Sequence, residues 1–139
     1  MRKIRTLFLA AVLATLGACD GSISMIGGDV TLAIAVDSAS ADTDVKVRLI
    51  NLSGEAIGVG TLPCHAGWER REGEVWVEII EARTCILPLL ILPHGRSSEF
   101  VATTLEAGTY RLRTGGTWVD RRGDVDEHFT VWSNTIAVR

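Results

Sequence analysis

An all-β sandwich is the fold this sequence predicts, and three observations carry it. Apolar residues recur at every second position in segment after segment, the period of a strand with one face buried. Glycine and small polar residues punctuate those segments at short, regular intervals. No stretch shows the 3.6-residue apolar period over a helix-like length. A chain of 139 residues is sized for one domain. The expectation is a single antiparallel sandwich of seven or eight strands, preceded by an N-terminal segment that does not belong to it.

That first segment has its own logic. Met1-Arg2-Lys3-Ile4-Arg5 carries three positive charges and no acid, and Thr6 to Leu16 carries no charge at all. The apolar run is shorter than the roughly 20 residues a membrane-crossing helix needs. A basic start, a short apolar run and small residues at a break are the layout of a secretory signal. The break reads Leu16-Gly17-Ala18-Cys19, which resembles the lipobox of bacterial lipoproteins. The resemblance implies cleavage before Cys19, acylation of its thiol and of its new amino group, and a product held to a bacterial membrane outside the cytoplasm. Each buried methylene contributes about 0.8 kcal/mol, so two or three acyl chains hold firmly where one would let go. Residues 1–18 are thus read as a lipoprotein signal peptide. Residues 19–28 are read as a lipidated cysteine and a short flexible tether, and residues 29–139 as the folded domain. Nine tether residues rich in Gly and Ser span roughly 15–18 Å as a coil.

Charge narrows the partners. The chain has 14 basic and 17 acidic residues, a net charge of −3. Loss of residues 1–18 removes three basic residues and no acid, leaving −6. A mildly acidic domain without a basic stripe is not built to bind nucleic acid. It is not built to adhere to anionic lipid by charge either, so the membrane contact expected is the covalent one.

The strands follow in order. Val30 to Val36 alternates large and small residues, and Val45 to Leu49 alternates apolar residues with Lys46 and Arg48, which should face water. The small polar stretch Ser38 to Asp44 is the turn between them. Ile57 to Leu62, Gly67 to Arg71 and Glu74 to Ile80 come next, the last two split by Glu72-Gly73. Ile86 to Gly95 is an apolar run holding Pro88 and Pro93. Proline cannot donate a ladder hydrogen bond, so this run is an edge or a crossing connection. Ser98 to Leu105, Thr109 to Thr114 and Phe129 to Val138 complete the set. In the last of these, Phe129 and Val131 share one parity while Ile136 and Val138 have the other. A one-residue slip reverses every side chain, so a bulge or break is expected at Ser133-Asn134, with Asn134 suited to a left-handed backbone.

Three cysteines cannot all pair with one another. With Cys19 assigned to lipid, Cys64 and Cys85 remain, and two thiols in a small domain outside the reducing cytosol usually pair. Their bridge would close a loop of about 22 residues and contribute about 3 kcal/mol on the chain-entropy view. A metal site built from Cys64, His65, Cys85 and His94 is the rival. It lacks any Cys-x-x-Cys or His-x-x-x-His spacing, and adjacent residues on a strand point to opposite faces.

The order of features resembles a family. Asn51 follows a strand; then come Cys64, an Arg-Arg-x-Gly-x-x-Trp hairpin from Arg70 and Cys85. A Pro-x-Gly turn at Pro93, Gly-x-Tyr-Arg-Leu-Arg from Gly108 and a closing Ser-Asn-x-x-x-Val from Ser133 follow. This is similar to the immunoglobulin-like domains of bacterial secreted proteins and lipoproteins. The resemblance covers residues 29 to 139 and implies an immunoglobulin-like β-sandwich. In it Tyr110 takes the place of a tyrosine corner, its hydroxyl bonded to backbone just upstream. Neither Cys64 nor Cys85 lies two residues after Tyr110, so their bridge should staple a connection and not the core.

Chemistry is sparse. There is no Gly-x-Ser-x-Gly elbow, no His-Glu-x-x-His and no phosphate-binding loop, so neither an enzyme nor a cofactor is expected. His65, His94 and His128 lie beside turns and read as solvent-exposed filler. Two surface features stand out. The hairpin between the last two strands, residues 119–128, holds Asp120, Arg122, Gly123, Asp124 and Asp126 beside Trp118, a possible binding loop. Trp68, Trp76, Trp118 and Trp132 are many for so short a chain, and an exposed one could stack on a sugar or a peptide. The function expected is a binding or structural module at the cell envelope, with an envelope protein or glycan as partner. A protease-inhibitor-like protein is the alternative, similar in outline to the bacterial intracellular proteinase inhibitors. It would present the 119–128 hairpin or the 86–95 connection as an exposed loop.

Overall fold

Val30, Leu32 and Ile34 are buried and Thr31 and Ala33 half-buried along the first strand, so the period-2 pattern of the sequence becomes a sheet with one face inward. The computed structural model describes residues 30 to 86, 88 to 119 and 125 to 139. Among the described residues the chain has eleven strands and no helix. These are β1 (Val30–Ile34), β2 (Ser38–Ala39), β3 (Asp44–Asn51), β4 (Ala56–Gly60), β5 (Ala66–Glu72) and β6 (Val75–Glu78). They continue as β7 (Leu89–Leu92), β8 (Ser97–Thr103), β9 (Gly108–Val119), β10 (Val125–Trp132) and β11 (Ile136–Val138).

Two sheets pack face to face as a β-sandwich. The smaller has the order β1-β3-β8 and the larger contains the other eight strands. In the larger sheet β9 is the spine, twelve residues long. At Tyr110 it pairs with Ile136 of β11 on one edge and Arg70 of β5 on the other. At Thr114 it pairs with Val131 of β10 and Ala66 of β5. Farther along, Val119 pairs with Val125 of β10 and Ala56 of β4. So β4 and β5 are two lengths of one interrupted strand, and β10 and β11 are two lengths of another. Counted that way the sandwich has eight full strands, with the two-residue β2 added to β11 in parallel. All other pairings are antiparallel.

The core lies between the sheets. Leu32, Val47, Leu49 and Phe100 come from the smaller sheet, and Ile57, Val59, Trp68, Tyr110, Leu112, Val131 and Ile136 from the larger. Fully burying one such side chain contributes about 1.5–3 kcal/mol. Trp68 meets Tyr110 edge to face, with ring centroids 6.0 Å apart and planes at 74°. On the outer side of the smaller sheet, Lys46 and Arg48 are exposed as the alternation requires, and Arg48 pairs across strands with Glu99 at 2.6 Å. That guanidinium holds the Glu99 carboxyl below its usual pKa.

The break in the last strand is where parity demands it. Phe129 and Val131 are buried on β10, and Ile136 and Val138 are buried on β11. Residues 133–135 between them leave the ladder and absorb the slip. Ser133 keeps its hold on β9 through its N–H, which donates to the Leu112 carbonyl at 2.8 Å. The backbone device is not the left-handed one expected of Asn134. Asp42, with φ 52°, is the only non-glycine residue at positive φ among the described residues. Asn134 instead uses its side chain, whose amide binds the Ile34 backbone.

Each end of the sandwich is fastened differently. At the end where β1 begins, Val30 faces Asn51. The buried Asn51 amide donates to the carbonyls of Glu55 at 2.8 Å and Leu92 at 2.9 Å, and accepts from the Ser53 hydroxyl at 2.5 Å. One side chain thereby ties β3 of one sheet to β7 of the other. At the opposite end the Thr104 hydroxyl donates to the Ser40 carbonyl at 2.6 Å and accepts from the Thr43 N–H at 2.9 Å, holding the 40–43 turn. The β5–β6 hairpin also lies at this end. Its two-residue turn begins with Gly73 at φ 63°, a conformation that favours glycine.

Candidate functional site

Among the described residues, one flank of the sandwich is not closed by a strand. β8 is the free edge of the smaller sheet, and β6 and β7 are free edges of the larger. Between them the chain crosses in two connections, residues 61–65 and 79–86, joined by the Cys64–Cys85 disulfide with Cα atoms 5.7 Å apart. The staple therefore lies in a connection and not between the two sheets' core strands. Arg83 reinforces it, donating to the Pro63 carbonyl at 3.2 Å and pairing with Glu81.

A cavity of about 680 Å³ opens beside this staple. Trp68, Ala102 and Leu112 give it an apolar lining, and Asp42, Glu81 and Arg83 bring polar groups to it. The Trp68 indole N–H is already used, donating to the Thr103 carbonyl at 3.0 Å. An apolar cleft of this size with a few convergent polar groups has the form of a small-ligand site. A second cavity of about 290 Å³ lies farther along the same edge strand, bordered by Leu62, Leu90 and Phe100.

The outer face of the larger sheet carries a different cluster. Glu69 on β5 is only 6% exposed, although it faces away from the core. Its carboxylate accepts from Arg111 Nε at 2.5 Å and from the Trp132 indole at 3.2 Å. The Arg111 guanidinium lies 4.4 Å from the Trp76 ring centre and 5.2 Å from that of Trp132, so two indoles cover the cation. Arg113 adds a contact to Glu78 at 3.1 Å, and its guanidinium lies 3.8 Å from Glu69. Two carboxylates opposite one another on neighbouring strands, Glu69 and Glu78, are thereby matched by two guanidinium groups.

The residues singled out in the sequence do not converge on one place. Cys64 and Cys85 are paired beside the cleft. Tyr110 is buried under Arg70, whose guanidinium lies 5.9 Å from its ring centre, and its ring folds back over Gly108. Among the described residues its hydroxyl donates no hydrogen bond. Trp118 is half-buried, its ring centre 5.1 Å from that of Phe129. Cys19 and the residues Asp120, Arg122, Gly123 and Asp124 lie outside the described residues, and Asp126 belongs to β10. The flanking Val119 and Val125 place both ends of that connection at the Val30 end of the sandwich.

Two further expectations change. His65 is not exposed filler: it is half-buried with its ring against Gly60, and its buried Nε2 has no hydrogen-bond partner among the described residues. The 86–95 run is not a free loop, because Leu89 to Leu92 are laddered to β4 between its two prolines. Sequence reasoning missed Glu69 and Arg111. The available signal was parity: Arg111 and Arg113 share the outward side of a strand whose inward side is Tyr110 and Leu112. Set against known proteins, the chain matches no family model and no curated protein significantly, so its own residues carry the functional argument.

Proposed function

We propose that this chain is a lipid-anchored, extracytoplasmic lipoprotein whose immunoglobulin-like sandwich serves as a binding or structural module at the bacterial cell envelope. The observation that carries the reading is the N-terminal order of basic start, uncharged apolar run and Leu16-Gly17-Ala18-Cys19. The Cys64–Cys85 pairing supports it, since such a bridge persists in an oxidising compartment. The eight-strand count, once interrupted strands are joined, is compatible with the immunoglobulin-like form. The cleft beside the disulfide is the part of the described body best suited to hold an envelope component, because its lining is apolar and its polar groups are at the rim.

Intact mass of the protein made in a bacterial host, with and without reductant, tests this. The expected product starts at Cys19, is heavier by its acyl chains and gains two hydrogens on reduction. A product that keeps residues 1–18 and bears no acyl chain overturns the reading.

A further inference from the structure

We propose that the Val30 end of the sandwich rests against a phospholipid surface, with Leu52 and the edge strand β7 bedded in the headgroup zone. This rests on the lipid-anchored reading and adds to it an orientation and a contact face. The chain enters the sandwich at this end, where β1 begins. Ten residues separate Cys19 from Val30, and a coil of that length spans roughly 16–19 Å. Val30 opposes Asn51, which is bonded to Leu92 and Glu55. An acyl-bearing Cys19 thus holds this end, and not the other, within reach of the bilayer.

That end also presents apolar side chains to solvent. Leu52 is 53% exposed, next to Asn51. Leu89 is 53% and Ile91 48% exposed on β7, which runs back from the same end along the open flank. From Ile86 to Pro93 no side chain is charged or able to form a hydrogen bond. An unshielded apolar edge strand is a liability in water unless something covers it. In the headgroup zone its apolar side chains leave water, while its free backbone edge stays within reach of water and headgroups.

Fluorescence quenching by brominated phospholipid reads the orientation directly. Cys19 is blocked by lipid and Cys64 is bonded to Cys85, so one added cysteine is the single free thiol to label. The acylated full chain is reconstituted in vesicles as Leu52→Cys, Leu89→Cys or Glu74→Cys, each carrying the same fluorophore. Quenching about threefold or more stronger at positions 52 and 89 than at 74 is expected, as befits burial of several ångströms into the headgroup zone. Similar quenching at all three, or stronger quenching at 74, with Cys19 acylated by mass, overturns the orientation and leaves the anchor standing. An unmodified Cys19 overturns both. Sedimentation showing a dimer of the Cys19→Ser chain that Leu89→Glu abolishes assigns β7 to a second copy and overturns the proposal too.

Discussion

Asn134 and Ile34, one hundred residues apart, exchange two hydrogen bonds. The Ile34 N–H donates to Asn134 Oδ1 at 2.8 Å, and Asn134 Nδ2 donates to the Ile34 carbonyl at 3.2 Å. A side-chain amide stands where a neighbouring strand would be, at the point where β1 ends and β10 breaks. The smaller sheet is thus fastened to the larger by the same residues that absorb the register slip. Asn134→Ala leaves both Ile34 groups unpaired, and a cost of about 1–3 kcal/mol is expected. Asn134→Asp keeps the acceptor and loses the donor, so it should fall between the two. Denaturant titration at constant m-value measures this; a midpoint equal to that of the native protein would mean that water replaces both bonds.

Glu69 makes a second case. Its carboxylate is buried against Arg111 and the Trp132 indole on a face that is otherwise outward. Removing it leaves a cation held between two rings without its counter-charge, so Glu69→Ala should cost about 2–3 kcal/mol, below the full cost of a broken buried pair because Arg111 keeps some access to water. Tryptophan fluorescence and near-ultraviolet circular dichroism should change with it, since Trp132 loses its acceptor and the Arg111 guanidinium beside Trp76 and Trp132 loses its counter-charge. Glu69→Gln, which retains an acceptor for the indole, should cost less. Equal losses for the two variants would show that the lost charge carries the whole cost and that the acceptor for the indole contributes nothing.

The difference between what the residues foretold and what they did not has a physical shape. Alternation gave the middle of β3, where Val45, Val47 and Leu49 face inward and Lys46 and Arg48 outward, and most of β8, where Phe100 and Ala102 are the buried positions. It missed the upper length of β9, where Gly115 and Gly116 interrupt the pattern although the strand runs on to Val119. It also missed that β4 and β5 are one strand line, because the interruption at 61–65 is defined only by both lengths pairing with β9. The Phe129-to-Val138 parity conflict was legible since a slip is a property of the sequence alone. The cleft was not. It lies where β5 and the 81–84 stretch meet the edge strand β8, segments far apart along the chain, and no local pattern encodes that meeting.

Gly116 tests the packing at that interruption. A Cβ there would stand 2.6 Å from the Gly58 carbonyl oxygen and 2.6 Å from Phe129 Cζ. One obstacle is backbone of a paired strand and the other a buried ring, so neither can step aside cheaply. Gly116→Ala should destabilise by about 1–3 kcal/mol. Gly54, with nothing within 4 Å of a Cβ and no positive φ, is the control. Gly54→Ala should be neutral or slightly stabilising through the unfolded chain. Thermal midpoints of the two variants, measured side by side, check the contrast; equal midpoints would show that β4 and β9 can part at no cost.

Tyr110 allows a titration that needs no substitution. It is the single tyrosine of the chain, so phenolate absorbance reports it alone. Burial beside Trp68 pushes its pKa above 10.0; the Arg70 guanidinium over the ring pulls it part of the way back, and Glu106 pushes it up again. Because the folded value is the higher one, the native state keeps a proton that the unfolded chain has lost. The stabilisation from this group is complete below about pH 10 and declines as pH rises from there through the folded value. The native protein should therefore titrate at higher pH than the denaturant-unfolded chain, and lose thermal stability over that interval. Arg70→Gln removes the cation that lowers the value and leaves Glu106 unpaired, so its native midpoint should move higher still. A native midpoint at or below the unfolded one would mean that the ring is open to water, and with it the part of the core that joins β5 to β9.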